Sequence, residues 1–119
     1  MDWKDHIKTI RKAVPVGTRL DENPNTKYKI VEDEAGINRN GFRIKVGAKN
    51  FIEIPLEMLE QIFHRSISNG GLYHKAIIER LYPAEVNAKP CLVHAVGKIF
   101  AKAGIMKQTS ARNYMINKE

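Results

Sequence analysis

Cys91 and His94 are the residues whose types and spacing first suggest chemistry. They lie three positions apart in a segment with helical periodicity, so both side chains can lie on the same side of a helix. An activated thiolate near a helix N-terminus would use such a pair, and so would a metal site joined by His64 and His74. Structural zinc needs four ligands, often with CxxC-type pairs, which one cysteine and scattered histidines do not provide. We therefore predict no catalytic residue, no metal and no cofactor.

The acidic run Glu32-Asp33-Glu34 is a second candidate for chemistry. Paired carboxylates can hold a divalent ion for phosphodiester cleavage. This run lacks a nearby lysine in the spacing of metal-dependent nucleases, and charge runs at strand ends are usually solvated. The glycine-containing segments 35–41 and 46–50 also lack the spacing and the following helix of a phosphate-binding loop. The sequence thus favours a protein that is not an enzyme.

Basic residues give the stronger signal. The 119-residue chain has a formal charge of +7 and a pI near 9.6. Residues 1–60 hold eleven Lys and Arg against ten Asp and Glu, whereas residues 61–119 hold nine against three. Between Glu85 and Glu119 there are six basic residues and no acidic one. Such a surface attracts polyanions, although a solvated positive face has the same composition.

A helix over residues 90–103 must position two of these six cations, Lys98 and Lys102. Pro90 suits its first turn, where the missing backbone donor is not needed, and Gly104 suits a left-handed C-cap. One face is apolar: Leu92, Val93, Val96, Ile99, Phe100 and Ala103. The other face is small, polar and basic: Cys91, His94, Ala95, Lys98, Ala101 and Lys102. A helix that enters the major groove needs short side chains and cations of this kind.

The other elements predict an α+β fold of one domain, residues 1–119. Residues 1–54 give a helix over 2–14, a loop at 21–26 and a small antiparallel meander with strands at 27–34, 41–47 and 50–54. Phe42, Ile44 and Val46 face one side of the middle strand. Residues 55–119 give helices 55–67 and 73–81, the link 83–89, helix 90–103 and a short hairpin over 105–116 that turns at Thr109-Ser110.

The outer face of the meander offers a different binding surface. Tyr28, Phe42 and Phe51, interleaved with Arg43 and Lys45, could stack single-stranded bases. Phe42 shares its face with Ile44 and Val46, so burial in the core is the simpler interpretation for that ring.

The order of elements over residues 55–116 resembles a winged-helix domain, in which a helix-turn-helix is followed by a wing. The segment FAKAGIMKQ…ARNYMI resembles that family's run from the recognition helix, through a glycine, into the wing strands. The resemblance implies base or phosphate contacts for His94, Lys98 and Lys102, and backbone contacts from the wing for Lys107 and Arg112. The link 83–89 is longer than a tight helix-turn-helix turn, and the preceding meander has no fixed place in the family pattern.

Two functions follow from these observations. The first is non-enzymatic nucleic-acid binding, with double-stranded DNA favoured over single strands. The alternative is a small protein-protein interaction or assembly module, including a homodimer, because winged helices serve both uses. The short apolar runs, the charged N-terminus and the single cysteine favour a cytoplasmic protein with no membrane partner.

Overall fold

The chain adopts an α+β fold in which helices and two small antiparallel sheets share one hydrophobic core. The structure is a computed structural model and describes residues 3–20, 28–31, 41–47 and 49–117. Its helices are α1 (Trp3–Ala13), α2 (Leu56–Ser68), α3 (Lys75–Leu81), α4 (Pro83–Ala88) and α5 (Leu92–Lys102). Its strands are β1 (Lys29–Val31), β2 (Gly41–Lys45), β3 (Phe51–Pro55), β4 (Leu72–Tyr73), β5 (Met106–Ser110) and β6 (Asn113–Ile116). Within these described ranges, no helix combines the length and apolarity needed to cross a membrane.

Helix α1 packs its apolar stripe on the rest of the core, as its periodicity predicts. Ile10 and Val14 are fully buried, and the Trp3 ring lies 5.5 Å from the ring of Phe63 in α2, centroid to centroid. Charges at its two ends, with Asp5 in the first turn and basic residues in the last, suit the helix dipole. The predicted helix over 2–14 is confirmed over the residues that are described.

The first sheet has the order β1-β2-β3, and its inner face is a row of isoleucines. Ile30 pairs with Ile44, which in turn pairs with Ile52, and all three are buried. The alternation predicted for residues 41–47 is confirmed, with Phe42 buried beside them. The predicted loop at 21–26 and the acidic run 32–34 lie outside the described residues.

The second sheet has the order β4-β6-β5 and corrects the predicted helix 73–81. Gly70 and Gly71 adopt positive φ angles of 71° and 89°, which turn the chain after α2. Leu72 then pairs with Met115 in β6, so Tyr73 belongs to a strand and the helix begins at Lys75. Tyr73 has helical spacing to the isoleucines that follow it. A buried residue at the end of a strand can have the same spacing, so the sequence did not distinguish the two.

Three further boundaries differ from the prediction. The link 83–89 contains helix α4, because Pro83 occupies its first turn instead of only ending α3. Helix α5 begins at Leu92, so Pro90 precedes the helix. The hairpin turns at Ala111 and Arg112, since Ser110 pairs with Asn113 after a register shift in β5.

Candidate nucleic-acid interface

Helix α5 is the central element of the C-terminal part, and most of its surface is covered. α1, α4 and β5 all contact it, and the predicted apolar residues from Leu92 to Phe100 are buried. Ala95 and Gly97 are buried as well. The prediction that Ala95 points outward is wrong, because neighbouring elements cover more of the helix than one amphipathic face requires.

A narrow polar strip remains on α5. His94, Lys98 and Lys102 follow one another at four-residue spacing and therefore share one side of the helix. Lys102 is exposed, whereas His94 and Lys98 are half-buried. These are the three residues of the helix to which the resemblance assigns base or phosphate contacts. The strip on which they lie is narrower than the outer face predicted for the helix.

The strip and the hairpin turn meet at His94, which lines one cleft together with Arg112. Partial burial lowers the pKa of His94 from its ordinary value of 6.5, and the positive charges of Lys98 and Arg112 lower it further. Arg112 lies in the two-residue turn of the hairpin β5–β6, 14 positions after Lys98 in sequence. The positive charges of the helix and of the hairpin turn therefore act on one imidazole.

A cleft of about 380 Å³ opens beside His94. It is lined by Tyr28, Lys75, Pro90, Cys91, Val93, His94 and Arg112. The ammonium of Lys98 lies over the Tyr28 ring, 5.6 Å from its centroid. None of the described lining residues is acidic, so the cleft combines an aromatic ring with several cations.

Tyr28 and Lys75 are the members of this site that lie outside the helix and hairpin singled out by the sequence analysis. Tyr28 directly precedes β1, on the same side as the buried Ile30, and that period-two spacing signals an inward position. Lys75 is the first residue of α3 and forms an exposed ion pair with Glu79, with 3.5 Å between Nζ and Oε2. Nothing in the local sequence of either residue indicates proximity to α5, because that proximity depends on tertiary packing.

Lys102 and Lys107 are not among the residues that line the cleft. Lys107 is exposed on β5, which is an edge strand of the second sheet and pairs only with β6 among the described strands. These two lysines therefore extend the positive surface beyond the cleft, along the helix and along the hairpin respectively.

The residues considered for other chemistry lie in ordinary surroundings. Cys91 and His94 both line the cleft and are half-buried. Among the described residues, no group of three or more His, Cys, Asp or Glu is arranged to hold a metal ion. His64 is exposed beside Phe63, and His74 caps α3, where its Nδ1 accepts a hydrogen bond from the Ala76 backbone at 3.2 Å.

The outer face of the first sheet carries its own aromatic–cation pair. The guanidinium of Arg43 lies over the Phe51 ring, 4.2 Å from its centroid, and forms an ion pair with Glu53 at 3.2 Å. Phe51 thus shares this face with Arg43, as the sequence permits, while Phe42 is buried. This surface is a weaker candidate for binding bases than the cleft, because Glu53 offsets the charge of Arg43, whereas the described lining of the cleft contains no acidic residue.

A second cleft, of about 540 Å³, lies between the end of α2 and α3. Arg65 and Arg80 line it together with the carboxylate-bearing Glu79. Its described lining includes no tyrosine, phenylalanine or tryptophan. It is larger than the cleft at His94, but it lacks the combination of a ring for stacking and a wholly basic or neutral lining.

Comparison of the chain with protein-family models, with curated proteins and with solved structures gives no match.

Proposed function

We propose that this chain is a non-enzymatic nucleic-acid-binding protein that contacts double-stranded DNA through the polar strip of α5 and the turn of the hairpin β5–β6. The placement of the cations carries the proposal: His94 of α5 and Arg112 of the hairpin turn line one cleft, and the ammonium of Lys98 lies over the Tyr28 ring of the same cleft. Cations brought together from separate elements repel one another, so the arrangement is stabilised when a polyanion neutralises them.

The order of elements supports the resemblance to a winged-helix domain. Helices α2 and α3 precede α5, and the hairpin that follows α5 corresponds to the wing. Strand β4, between α2 and α3, joins the hairpin in one sheet. The segment between α3 and α5 contains helix α4, so the longer link has a defined structure in this chain.

The roles of the individual residues follow from their exposure. Lys98 and Lys102 would bind phosphates, and Lys107 and Arg112 would contact the backbone from the hairpin. His94 is the strip residue suited to a base edge, because a neutral imidazole both donates and accepts hydrogen bonds. Most of the available contacts are therefore with phosphates, which position DNA without reading its sequence. We expect binding that tolerates changes of DNA sequence.

Fluorescence anisotropy with random double-stranded and single-stranded DNA tests the proposal. Micromolar binding to the duplex should weaken strongly between ~50 and ~200 mM salt, because phosphate contacts release counterions. The double substitution Lys98→Ala/Lys102→Ala should reduce the affinity. The double substitution Lys8→Ala/Lys12→Ala, which removes two exposed charges from α1, is the matched control.

Two results would contradict the proposal. One is the absence of binding at the lowest salt concentration. The other is an equal loss of affinity in both double variants, since a general charge effect needs no interface on α5. Thermal unfolding of each variant tests whether the fold is intact, which matters because Lys98→Ala also removes the contact with Tyr28. Either contradictory result would favour the protein-interaction alternative.

The proposed function fits the cytoplasmic location expected from the sequence.

A further inference from the structure

We infer that the cleft between Tyr28 and Arg112 binds one unpaired nucleotide of the nucleic acid, with its base against the Tyr28 ring and its phosphate at the cations of the rim. The inference rests on the proposed function, because the strand held by α5 supplies the nucleotide. It adds a binding preference for DNA that contains an unpaired nucleotide next to a duplex.

The size of the cleft restricts what can enter it. Its volume of about 380 Å³ is at the lower end of the roughly 300–1,000 Å³ found for small-molecule sites. Such a volume takes a group the size of one nucleotide and excludes a double helix. A duplex can therefore lie only across the mouth of the cleft, along Lys98 and Lys102, while one unpaired nucleotide turns inward.

The walls of the cleft suit the two ends of a nucleotide. Tyr28 presents an aromatic ring, and Pro90 and Val93 add apolar surface. A base stacks on such a ring whatever its sequence, because every base has a π-face. Arg112 and Lys75 supply cations at the same cleft, and a guanidinium binds a phosphate through paired hydrogen bonds. The aromatic and cationic parts together fit a nucleoside phosphate better than an isolated anion.

The charge balance of the cleft favours an anionic ligand. The described lining contains no acidic residue. Glu79 pairs with Lys75 at the rim, but both side chains are well exposed, and such pairs are weak and screened by salt. Partial burial and the positive charges of Lys98 and Arg112 lower the pKa of His94. A phosphate placed there would offset the repulsion among these cations.

Lys98 connects the cleft with the duplex surface. It belongs to the polar strip of α5, and its ammonium also lies over the Tyr28 ring. A phosphate bound by Lys98 would therefore be next to the ring on which the unpaired base stacks. Lys102, one turn further along α5 and exposed, stays available for the neighbouring phosphate of the paired region.

The test compares a blunt duplex with the same duplex carrying one unpaired internal nucleotide, by fluorescence anisotropy. The wild-type chain should bind the second DNA about tenfold more tightly, the order expected for one base–aromatic stack. Tyr28→Leu should remove this preference, so that the two DNAs bind this variant with equal affinity. Tyr28→Phe, which retains the ring, should keep it. Thermal unfolding of all variants verifies their folding.

Phe51→Leu is the matched control, because Phe51 is also half-buried and also has a cation over its ring. This variant should keep the preference for the unpaired nucleotide. A photoreactive 5-iodouracil at the unpaired position should cross-link to the peptide that contains Tyr28. Free deoxynucleoside monophosphate should compete poorly, because it lacks the flanking strand.

Several outcomes would overturn the inference. These are equal affinity of the wild-type chain for the two DNAs, loss of the preference in Phe51→Leu but not in Tyr28→Leu, and competition by the free monophosphate as effective as that by the oligonucleotide. If one of these outcomes occurs but the blunt duplex still binds, and Lys98→Ala/Lys102→Ala weakens that binding, the inference is contradicted and the proposed function is retained. If neither DNA binds, the proposed function fails with it.

Discussion

Gly97 of α5 lies directly against the ring of Tyr114 in β6. A Cβ atom at position 97 would be 2.4 Å from two carbons of that ring, which is far inside van der Waals contact. The absence of a side chain thus lets the hairpin approach the helix closely. Because Arg112 lies in the turn of that hairpin, this contact also positions the arginine near His94.

Gly97→Ala should destabilise the protein by roughly 1–3 kcal/mol, the usual effect of overpacking a core. In an unobstructed helix the same substitution would stabilise by about 0.5–1 kcal/mol, so the sign of the change is diagnostic. Chemical denaturation of the wild type and the variant measures it. In a Tyr114→Leu background the alanine should be tolerated better, and a double-mutant cycle gives the coupling. A neutral or stabilising Gly97→Ala in the wild-type background would contradict the contact.

The hydroxyl of Tyr73 joins β4 to α5. It donates a hydrogen bond to the Val93 carbonyl oxygen at 2.6 Å, and the side chain is fully buried. Tyr73→Phe should therefore lower the free energy of unfolding by about 1 kcal/mol, the net value of one such bond. Tyr82→Phe, at a half-buried position, should change it by less than about 0.5 kcal/mol. Equal effects of the two substitutions in urea denaturation would argue against this bond.

Burial, followed by the neighbouring Tyr114, raises the pKa of Tyr73 well above its ordinary value of 10.0. The unfolded chain therefore releases this proton at a lower pH than the folded chain. The contribution of Tyr73 to stability is complete below pH 10 and should decline as the pH rises above that value. Urea denaturation near pH 7 and above pH 10 should show a smaller decline in Tyr73→Phe than in the wild type. An identical decline in both proteins would contradict this linkage.

The parts of the fold that could be predicted from sequence are those with a repeated apolar pattern. Phe42 and Ile44 alternate with cations in β2, and the apolar positions of α5 recur with helical spacing, so burial follows from the pattern itself. Strand β4 could not be predicted, because two residues are too few for an alternation and Leu72 is paired only by tertiary contact with Met115. Helix α4 was missed because Pro83 both follows one helix and begins the next.

The candidate site also has a part that could be predicted from sequence and a part that could not. His94, Lys98 and Lys102 share a strip because four-residue spacing on a helix is a local property. The proximity of Arg112 to His94 depends on how the hairpin packs on α5, and Gly97 permits that packing. Tyr28 precedes α5 by more than sixty residues, so its place in the cleft depends on how the first sheet packs against the C-terminal part. Local patterns contain no information about contacts at that separation.

His94 should make stability depend on pH below its ordinary pKa. Partial burial, then Lys98 and Arg112, hold its pKa below 6.5 in the folded chain, while an unfolded chain takes up the proton at about 6.5. The folded state is thus at no disadvantage above that pH and loses stability as the pH falls through the lowered pKa. Thermal unfolding from about pH 7.5 to about pH 5 should show a smaller decline in His94→Gln than in the wild type.

Substitutions of the neighbouring cations separate the causes of this shift. Lys98→Ala and Arg112→Ala should each reduce the acid-induced decline by less than His94→Gln does, because burial is the larger cause. A decline that is the same in His94→Gln and in the wild type would show that other groups determine the acid sensitivity.

Lys107 and Arg112 provide the sharpest test of the hairpin as a wing. If each contacts one phosphate, Lys107→Ala and Arg112→Ala should each lower the slope of log affinity against log salt by about 0.9, and the losses should be similar for duplexes of different sequence. Lys12→Ala on α1, also an exposed charge, should leave the slope unchanged. Anisotropy titrations at several salt concentrations measure all three slopes. A wild-type slope in both hairpin variants, together with a reduced slope in Lys98→Ala, would confine the interface to α5 and exclude the wing from it.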